Sequence, residues 1–236
     1  MKFDKNNLEE HLNKFFQEYE KDGLLSAYLW GSITTGEFDI ETSDIDIIAI
    51  VKSENSIDQS SIKEKINECF DDFKYFGFNV IREDELKEGV GKDSSITTVI
   101  HPRILLSDMK DWKQVFGKIY STEDFTNNPA IPDELISLEI KKIIRDQWDD
   151  STNVGDGFVQ YHLKGIMRII YYSQLKRNEH FPFSYTNIKQ KANEEESQLI
   201  DIFYKNKDAG YCKQHLLENK DKVDSYTKKM IQEFIK

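Results

Sequence analysis

The sequence predicts an α/β fold (α+β in the broader sense), with an N-terminal mixed sheet and flanking helices followed by an all-helical bundle. Three observations predict this fold. Short β-branched runs alternate with amphipathic stretches in the first half of the chain. Residues 121–132 form a polar segment that contains two of the four prolines, as expected of a linker. Beyond it only helical periodicity remains, so we expect one domain over residues 1–120 and a helical domain over residues 133–236.

The N-terminal domain is predicted to alternate helices with strands. Helices are indicated by apolar residues at helical spacing, and strands by runs of β-branched residues. The predicted elements are a helix over 6–21, a strand Leu24–Trp30, a turn and short helix from Ser32, a strand Asp44–Val51, a helix over 58–74, strands Phe76–Ile81 and Ile96–Ile100, and a helix over 103–116.

The C-terminal domain is predicted to contain helices only. Their expected spans are 133–149, 156–177, 184–207 and 209–235, the last as one helix or two. No internal repeat accompanies this pattern.

Bulk composition is that of a soluble globular protein rather than a disordered one. The chain has 236 residues, of which 32% are charged and 38% hydrophobic. No stretch approaches the ~18 consecutive apolar residues of a membrane span. The N-terminus lacks the apolar core of a secretory signal, and two cysteines, Cys69 and Cys212, do not suggest a disulfide framework. We therefore expect a cytoplasmic protein that does not engage a membrane.

Net charge is −11, and the whole excess lies in the first half of the chain. Residues 1–131 contain 15 Lys and Arg against 26 Asp and Glu, whereas residues 132–236 contain 17 of each. An acidic domain repels nucleic-acid backbones, so a nucleic-acid partner is not expected. It would attract a cationic acceptor, although the simpler interpretation is a well-solvated acidic surface.

The segment that indicates chemistry begins at Gly31-Ser32 and ends at Ser43-Asp44-Ile45-Asp46. Gly31 permits a close backbone approach or a positive φ. Ser32 offers a hydroxyl and an N–H at a predicted helix start, where phosphate binds well. Asp44 and Asp46 are two residues apart on a predicted strand, so their side chains are expected on one face.

Two carboxylates beside a hydrophobic core indicate a metal site. Burying such charges without a counter-ion costs several kcal/mol each, by rough estimate, and a divalent cation removes this cost. Paired metals stabilise the attacking and leaving oxygens of many phosphoryl transfers. Mg²⁺ suits two carboxylates and a triphosphate, since it prefers oxygen ligands. The residues thus predict a two-metal Mg²⁺ site, with Asp44 and Asp46 as ligands and catalytic groups.

The constellation resembles the DNA polymerase β-like nucleotidyltransferase superfamily. That pattern is an apolar residue, Gly-Gly/Ser, about a dozen residues, and then Asp-apolar-Asp/Glu, matched here by Gly31, Ser32, Asp44 and Asp46. The resemblance implies that residues 1–120 are a catalytic domain and that a nucleoside triphosphate, by default ATP, is the co-substrate. Gly31, Ser32 and Ser43 would then help to bind the nucleotide.

A looser similarity, over about residues 20–200, is to the adenylyltransferases that modify streptomycin and spectinomycin. It implies that AMP is transferred to a hydroxyl of a small molecule, such as an aminoglycoside antibiotic. Arg168 stands where those enzymes have an arginine that binds the nucleotide phosphates. The alternative is that Arg168 extends from a packed helix to solvent or pairs with a carboxylate. Asp156 stands near an acid that contacts the drug's amines in those enzymes, but the spacing matches poorly.

The sequence also departs from the family pattern. Family members usually supply a third carboxylate from a later strand, but the predicted strand Phe76–Ile81 has Asn79 and no acid. Candidates for that ligand or general base are Asp93, Glu83 and Glu85, each of which is otherwise a solvated loop acid. Ser184 is followed by Tyr185 rather than by the lysine of the antibiotic enzymes.

Several other residues have a structural interpretation that we prefer to a functional one. His101 could act as a general base but is better read as a loop residue before Pro102. Core packing is expected of the remaining aromatic candidates, which are Tyr161, Tyr171, Tyr172, Trp112 and Trp148.

Two alternatives to a small-molecule adenylyltransferase follow from the same residues. One is a degenerate nucleotide-binding or regulatory protein, suggested by the missing third acid. The other is an antitoxin-type nucleotidyltransferase that acts on a protein partner, for which the helical C-terminal domain is large.

Overall fold

A computed structural model describes residues 5–41, 43–52, 57–70, 73, 75–92, 94–145, 156–211 and 213–235. The chain forms two compact units, Met1–Pro129 and Ala130–Lys236. The first contains a four-stranded sheet with flanking helices, and the second is helical. The predicted fold class is therefore confirmed. No helix among the described residues is long and apolar enough to cross a membrane.

The first unit is built around a mixed sheet of strand order β3-β2-β1-β4. Strand β1 pairs antiparallel with β2 and β4, and β2 pairs parallel with β3. The elements in chain order are α1 Lys5–Gln17, β1 Leu24–Trp30, α2 Ser32–Thr35, β2 Ile45–Val51, α3 Gln59–Cys69, β3 Phe76–Arg82, α4 Glu83–Glu88, α5 Pro102–Asp108 and β4 Lys113–Gly117.

Each face of the sheet packs on its own hydrophobic core. One core joins α1 and α3 to alternate residues of the strands, including Leu29, Ile47 and Phe78. The other joins Tyr28, Ile48, Ile50 and Ile81 to the region of α4 and α5. Successive strand residues point to opposite faces. Because Asp46 and Ile48 are two residues apart on β2, the Asp46 side chain lies on the α4–α5 side.

The predicted strand Ile96–Ile100 is wrong. Residues Ser95–Thr98 form a 3-10 helix instead. Its first turn is held by the Thr97 N–H and hydroxyl, which both donate to the Ser94 carbonyl. This β-branched run forms its backbone hydrogen bonds within a local turn, so its strand propensity gave the wrong prediction.

The predicted helix over 103–116 is also wrong in its second half. Helix α5 ends at Asp108, and Lys113–Gly117 form β4. This strand completes the second edge of β1, pairing Phe116 with Ala27 and Lys113 with Leu29. The pairing joins residues far apart in sequence, which local periodicity cannot reveal.

The second unit contains six helices among its described residues. They are α6 Pro132–Arg145, α7 Asp156–Leu175, α8 Tyr185–Gln190, α9 Glu194–Asp208, α10 Lys213–Glu218 and α11 Lys220–Phe234. The single helix predicted over 184–207 is therefore two. Asn193 begins α9 with a capping box, in which its side chain accepts from Glu196 N–H and the Glu196 carboxylate accepts from Asn193 N–H. The span 209–235, which was predicted as one helix or two, also forms two helices.

Candidate functional site

Asp46 lies in the centre of the sheet, where β1 ends and where β2 and β3 begin. It pairs with Trp30 of β1 on one side and with Gly77 of β3 on the other. Its side chain is half-buried, and its strand neighbours Ile45 and Ile47 are fully buried on the opposite face. A carboxylate in this position is partly desolvated, which raises the cost of its charge.

Two glycines enclose the Asp46 carboxylate. A Cβ built on Gly77 would lie 2.5 Å from Asp46 Oδ1, and a Cβ built on Gly31 would lie 3.4 Å from Asp46 Oδ2. Each carboxylate oxygen therefore faces a position without a side chain. The sequence indicated Gly31, but Gly77 was missed. A glycine inside a strand often marks a close approach, and this was the signal that could have found it.

The Gly31-Ser32 turn connects the end of β1 to α2. Gly31 has φ 75° and ψ −145°, a backbone conformation that L side chains rarely adopt. The Thr34 N–H and hydroxyl both donate to the Gly31 carbonyl, which fixes the turn. Helix α2 is a single turn of four residues that ends at Gly36. The predicted short helix after Gly31 is thus present, beginning at Ser32.

Asp44 and Ser43 lie just before β2. The strand begins at Ile45, one residue later than predicted, with the Ile45 N–H donating to the Tyr75 carbonyl. Asp44 is exposed and follows a turn in which Ser43 N–H donates to the Asp39 carbonyl. The Ser43 hydroxyl accepts from the Asp39 N–H. Ser43 therefore shapes the loop that delivers Asp44, while its predicted nucleotide contact stays a prediction.

An aromatic pair adjoins Asp46 on the same side of the sheet. Trp30, the strand partner of Asp46, has its ring 6.5 Å from that of Trp112 at an interplanar angle of 71°. Both side chains are half-buried and pack against the core under α4 and α5. Trp112 thus has the core contact that was predicted. The sequence did not reveal that Trp112 packs against Trp30, the strand partner of Asp46.

No third acid stands on β3 beside Asp46. Parallel pairing places Gly77 opposite Asp46 and Asn79 opposite Ile48. Asn79 is half-buried and lies on the Asp46 side of the sheet, since residues two apart on a strand share a face. A neutral amide therefore stands on the Asp46 side of β3, and this later strand supplies no third carboxylate.

Glu85, a candidate for the third acid, lies at the other end of the sheet. Strand β3 ends at Arg82, which pairs with Val51, five residues beyond Asp46. At ~3.3 Å per residue this separates the two ends by ~16 Å. Glu85 is fully buried and accepts hydrogen bonds from the N–H groups of Arg82, Lys92 and Ser94. It anchors the loop after α4, so its candidacy as a metal ligand is wrong.

Glu83 is excluded as the third metal ligand because it lies at the same distant end of the sheet. It opens α4 immediately after Arg82, accepts a 3.1 Å hydrogen bond from the Tyr120 hydroxyl, and pairs with Lys87 at 2.9 Å. Burial raises the pKa of Tyr120, and the neighbouring Glu83 carboxylate raises it further. Asp93, the remaining candidate, lies outside the described residues.

His101 has a structural role, as preferred from the sequence. Its ring nitrogen Nδ1 accepts from the Arg103 N–H and caps the start of α5, where Pro102 occupies the first helical position.

Arg168 lies on α7 of the second unit, where its Nε is 3.8 Å from Glu139 Oε1 on α6. Its guanidinium also lies 5.5 Å from the centre of the Phe183 ring. Glu139 is almost completely buried, so this contact places a positive charge beside a desolvated carboxylate. The alternative of a carboxylate partner is thus present, and the predicted phosphate contact stays a prediction.

The remaining predicted residues of the second unit divide between core and surface. Tyr171 and Tyr172 are buried, as predicted. Tyr161 is 51% exposed, so its assignment to the core is wrong. Asp156 begins α7, but its side chain lies outside the described set, as does Trp148.

The residues around Asp46 fit a magnesium–nucleotide complex better than a metal held by protein alone. Among the residues that the structure describes, no group of three or more His, Cys, Asp or Glu could hold a metal ion. Mg²⁺ needs only one or two protein carboxylates when phosphates and waters supply its other ligands. Asp46 is the acid that the sheet places beside Gly31, and Asp44 lies two residues before it, so these are the residues that would hold the ion.

Comparison with known families finds a nucleotidyltransferase domain in the first unit. Residues 9–101 match the family model described as "Nucleotidyltransferase domain". No curated protein matches the chain significantly. The matched segment runs from α1 to the start of α5 and contains Gly31, Asp44, Asp46 and Gly77, whereas Arg168 lies outside it. The match supports the resemblance to the polymerase β-like superfamily, and with it general nucleotidyl transfer, for residues 9–101; the resemblance to the aminoglycoside adenylyltransferases stays a prediction.

Proposed function

We propose that this protein transfers AMP from Mg-ATP to a hydroxyl of a small, cationic acceptor. The observation that carries the proposal is the enclosed carboxylate of Asp46, which lies beside the Gly31 turn at the edge of a hydrophobic core. The acceptor oxygen would bond to the α-phosphorus while the bond to the bridging oxygen breaks. Pyrophosphate leaves, and the hydroxyl proton is released to water.

Asp44 and Asp46 are the proposed metal ligands. Bound Mg²⁺ would neutralise phosphate charge, a contribution that such sites commonly make. The chain's own contribution is to hold the exposed Asp44 and the half-buried Asp46 at the start of β2, where the Ile45–Tyr75 hydrogen bond fixes the strand. Fixed groups of this kind lower a barrier mainly by positioning and by charge stabilisation.

The Gly31-Ser32 turn is the proposed phosphate contact. Gly31 has no side chain and a positive φ, so its backbone can approach a phosphate closely. Ser32, directly after it, would add its hydroxyl as a donor. Ser43 would act by shaping the loop before Asp44.

The proposed acceptor is cationic because the first unit is strongly acidic. Residues 1–131 hold the whole net charge of −11. Glu37, Asp39 and Glu41 lie on the loop between α2 and Asp44, close in sequence to the proposed ligands. Such a field raises the local concentration of a cation and speeds its encounter. Aminoglycosides have this chemistry, as do other polyamine-bearing alcohols.

The experiment that tests the proposal has a binding arm and a turnover arm. Calorimetry with MgATP should show binding by the wild type, with the affinity reduced at least tenfold in Asp44→Asn and Asp46→Asn. Each variant keeps its shape and loses one charge, while Asp58→Asn, at the N-cap of α3, serves as the matched control. Absence of MgATP binding by the wild type would overturn the proposal.

Turnover is measured as pyrophosphate release across a panel of aminoglycosides and simpler amino alcohols. Release that depends on both ATP and one of these acceptors is the expected result. Binding of MgATP without release for any member of the panel would contradict a small cationic acceptor.

A further inference from the structure

Gly77 stands out among the residues that the proposed chemistry does not use. It lies inside β3, directly opposite Asp46. A Cβ at this position would lie 2.5 Å from Asp46 Oδ1, 3.6 Å from Asp46 Cγ and 3.9 Å from Asp46 Cα. Real Cβ atoms essentially never come that close to a neighbour, so the carboxylate occupies the space where any other residue would have its side chain.

The backbone does not explain the glycine. Gly77 is not among the glycines with positive φ, so its conformation is open to any L residue. Glycine inside a strand is unfavourable because it adds conformational freedom to the unfolded chain and offers no side chain to pack. What it contributes in return is the space on the α4–α5 side of β3 into which the Asp46 carboxylate fits.

Gly31 leaves the other carboxylate oxygen uncrowded. Oδ2 lies 3.4 Å from the point where a Cβ on residue 31 would stand, and glycine has no such atom. Trp30 occupies the paired position on β1. A side chain at residue 77 would therefore have to displace Asp46 Oδ1 from its observed position.

We propose that Gly77 is a positioning residue of the nucleotide site. Because Gly77 has no side chain, the Asp46 carboxylate can occupy the space beside β3 and is held there. The inference rests on the proposed function, since it assigns Asp46 a metal to hold. It also means that β3 contributes space beside Asp46, rather than a third carboxylate. The site would bind its divalent cation only while residue 77 has no side chain.

Gly77→Ala is the direct test, and Gly91→Ala is its matched control. Gly91 also lacks a positive φ, and its added Cβ would come within 2.8 Å of a side chain, Thr97 Cβ, away from Asp46. Both variants add one methyl group against a side chain of the same unit. Only Gly77→Ala should act through Asp46.

The first measurement is a double-mutant cycle on stability, with each alanine made in the wild type and in Asp46→Ala. Gly77→Ala should lower the urea midpoint in the wild type and much less in Asp46→Ala, where the carboxylate is gone. Gly91→Ala should cost the same in both backgrounds. If Gly77→Ala fails to fold while Gly77→Ala with Asp46→Ala folds, that result also supports the inference. Equal costs of Gly77→Ala in both backgrounds would overturn the inference.

The second measurement is Mn²⁺ affinity in the presence of ATP, followed by electron paramagnetic resonance. Gly77→Ala should weaken Mn²⁺ at least tenfold, and Gly91→Ala should leave it unchanged. Wild-type affinity in a folded Gly77→Ala protein would overturn the positioning role. Absence of Mn²⁺ binding by the wild type would overturn the proposed function itself, and the stability cycle would then show only that residues 46 and 77 touch.

Discussion

Replacing Glu85 separates a structural acid from a catalytic one. Glu85 is fully buried at the start of α4 and accepts from the N–H groups of Arg82, Lys92 and Ser94, and from the hydroxyls of Ser94 and Thr97. Its carboxylate thus holds Lys92, Ser94 and Thr97 at the end of β3. We expect Glu85→Ala and Glu85→Gln to destabilise the protein without changing nucleotide binding.

The magnitude follows from the donors that each change leaves behind. An unsatisfied buried donor costs ~1–3 kcal/mol. In Glu85→Ala the Arg82 N–H still donates to the Ser94 hydroxyl, and the N–H of the exposed Lys92 can donate to water instead. The buried Ser94 N–H has no such substitute, so we expect a loss of about 3 kcal/mol in total. Glu85→Gln retains one oxygen but loses the charge, and should cost about 2 kcal/mol.

The pH dependence gives a second signature. Burial acts to raise the pKa of Glu85, but the hydrogen bonds from Ser94, Lys92 and Arg82 outweigh it, so the pKa lies below its usual 4.5. A lowered carboxyl pKa means that the native state favours the charged form. The stabilisation is complete above pH 4.5 and is lost as the pH falls through the lower native-state pKa. The stability gap between wild type and Glu85→Gln should therefore narrow below about pH 4.5.

Urea denaturation at pH 7 and at steps below pH 5 measures both effects. Glu88→Gln on the same helix is the control, because its exposed side chain forms a surface ion pair with Lys92, and it should cost less than about 0.5 kcal/mol. MgATP binding should be unchanged in all folded variants. If Glu85→Gln kept its stability but lost MgATP binding, Glu85 would be a ligand of the site, and the separation read from the sheet would be wrong.

Two further predictions test the sheet and the missing acid. Gly117→Ala should destabilise the first unit by more than about 3 kcal/mol, because residue 117 has a φ of 78°, which L side chains rarely adopt. The new Cβ would also overlap the Leu25 carbonyl oxygen, a backbone atom that cannot move aside. A urea midpoint like that of the wild type would contradict the β1–β4 pairing. Asn79→Asp should add a carboxylate on the Asp46 side of β3. Without metal, repulsion between the two charges should lower the free energy of unfolding by roughly 2–3 kcal/mol, for a separation of ~6 Å and an effective dielectric constant of ~20. The added carboxylate should also raise the affinity for Mn²⁺ about tenfold. Thermal melts with and without Mn²⁺ measure both effects of Asn79→Asp, and an unchanged Mn²⁺ affinity would show that residue 79 does not reach the metal.

The sequence anticipated elements whose evidence is local. Strand β1 was predicted with the bounds that it has, and β2 within one residue, because β-branched runs between turn residues report their own conformation. The Gly31 turn was predicted for the same reason, since it needs a positive φ that glycine adopts readily. The Gly31, Asp44 and Asp46 spacing pointed to a nucleotidyltransferase domain, which the family match over residues 9–101 supports.

The sequence misjudged elements that depend on partners far along the chain. Ile96–Ile100 has strand propensity, yet hydrogen bonds to Glu85 and Ser94 fold the segment into a 3-10 turn. Lys113–Gly117 looked helical, yet the open edge of β1 makes it a strand. Propensities of short segments differ by little free energy, so tertiary pairing decides between them.

The sequence by itself determined the residue types of the candidate site, because the Gly-Ser turn and the two aspartates form one contiguous segment. Only the tertiary structure decided what surrounds Asp46. The parallel pairing of β2 with β3 sets Gly77 beside its carboxylate, Asn79 on the same side, and Glu83 and Glu85 at the far end. Register is a property of two strands and their shared core, and a shift by one residue would turn every side chain of a strand to the other face. For that reason an acid near a strand in sequence could be counted as a ligand until the pairing was known.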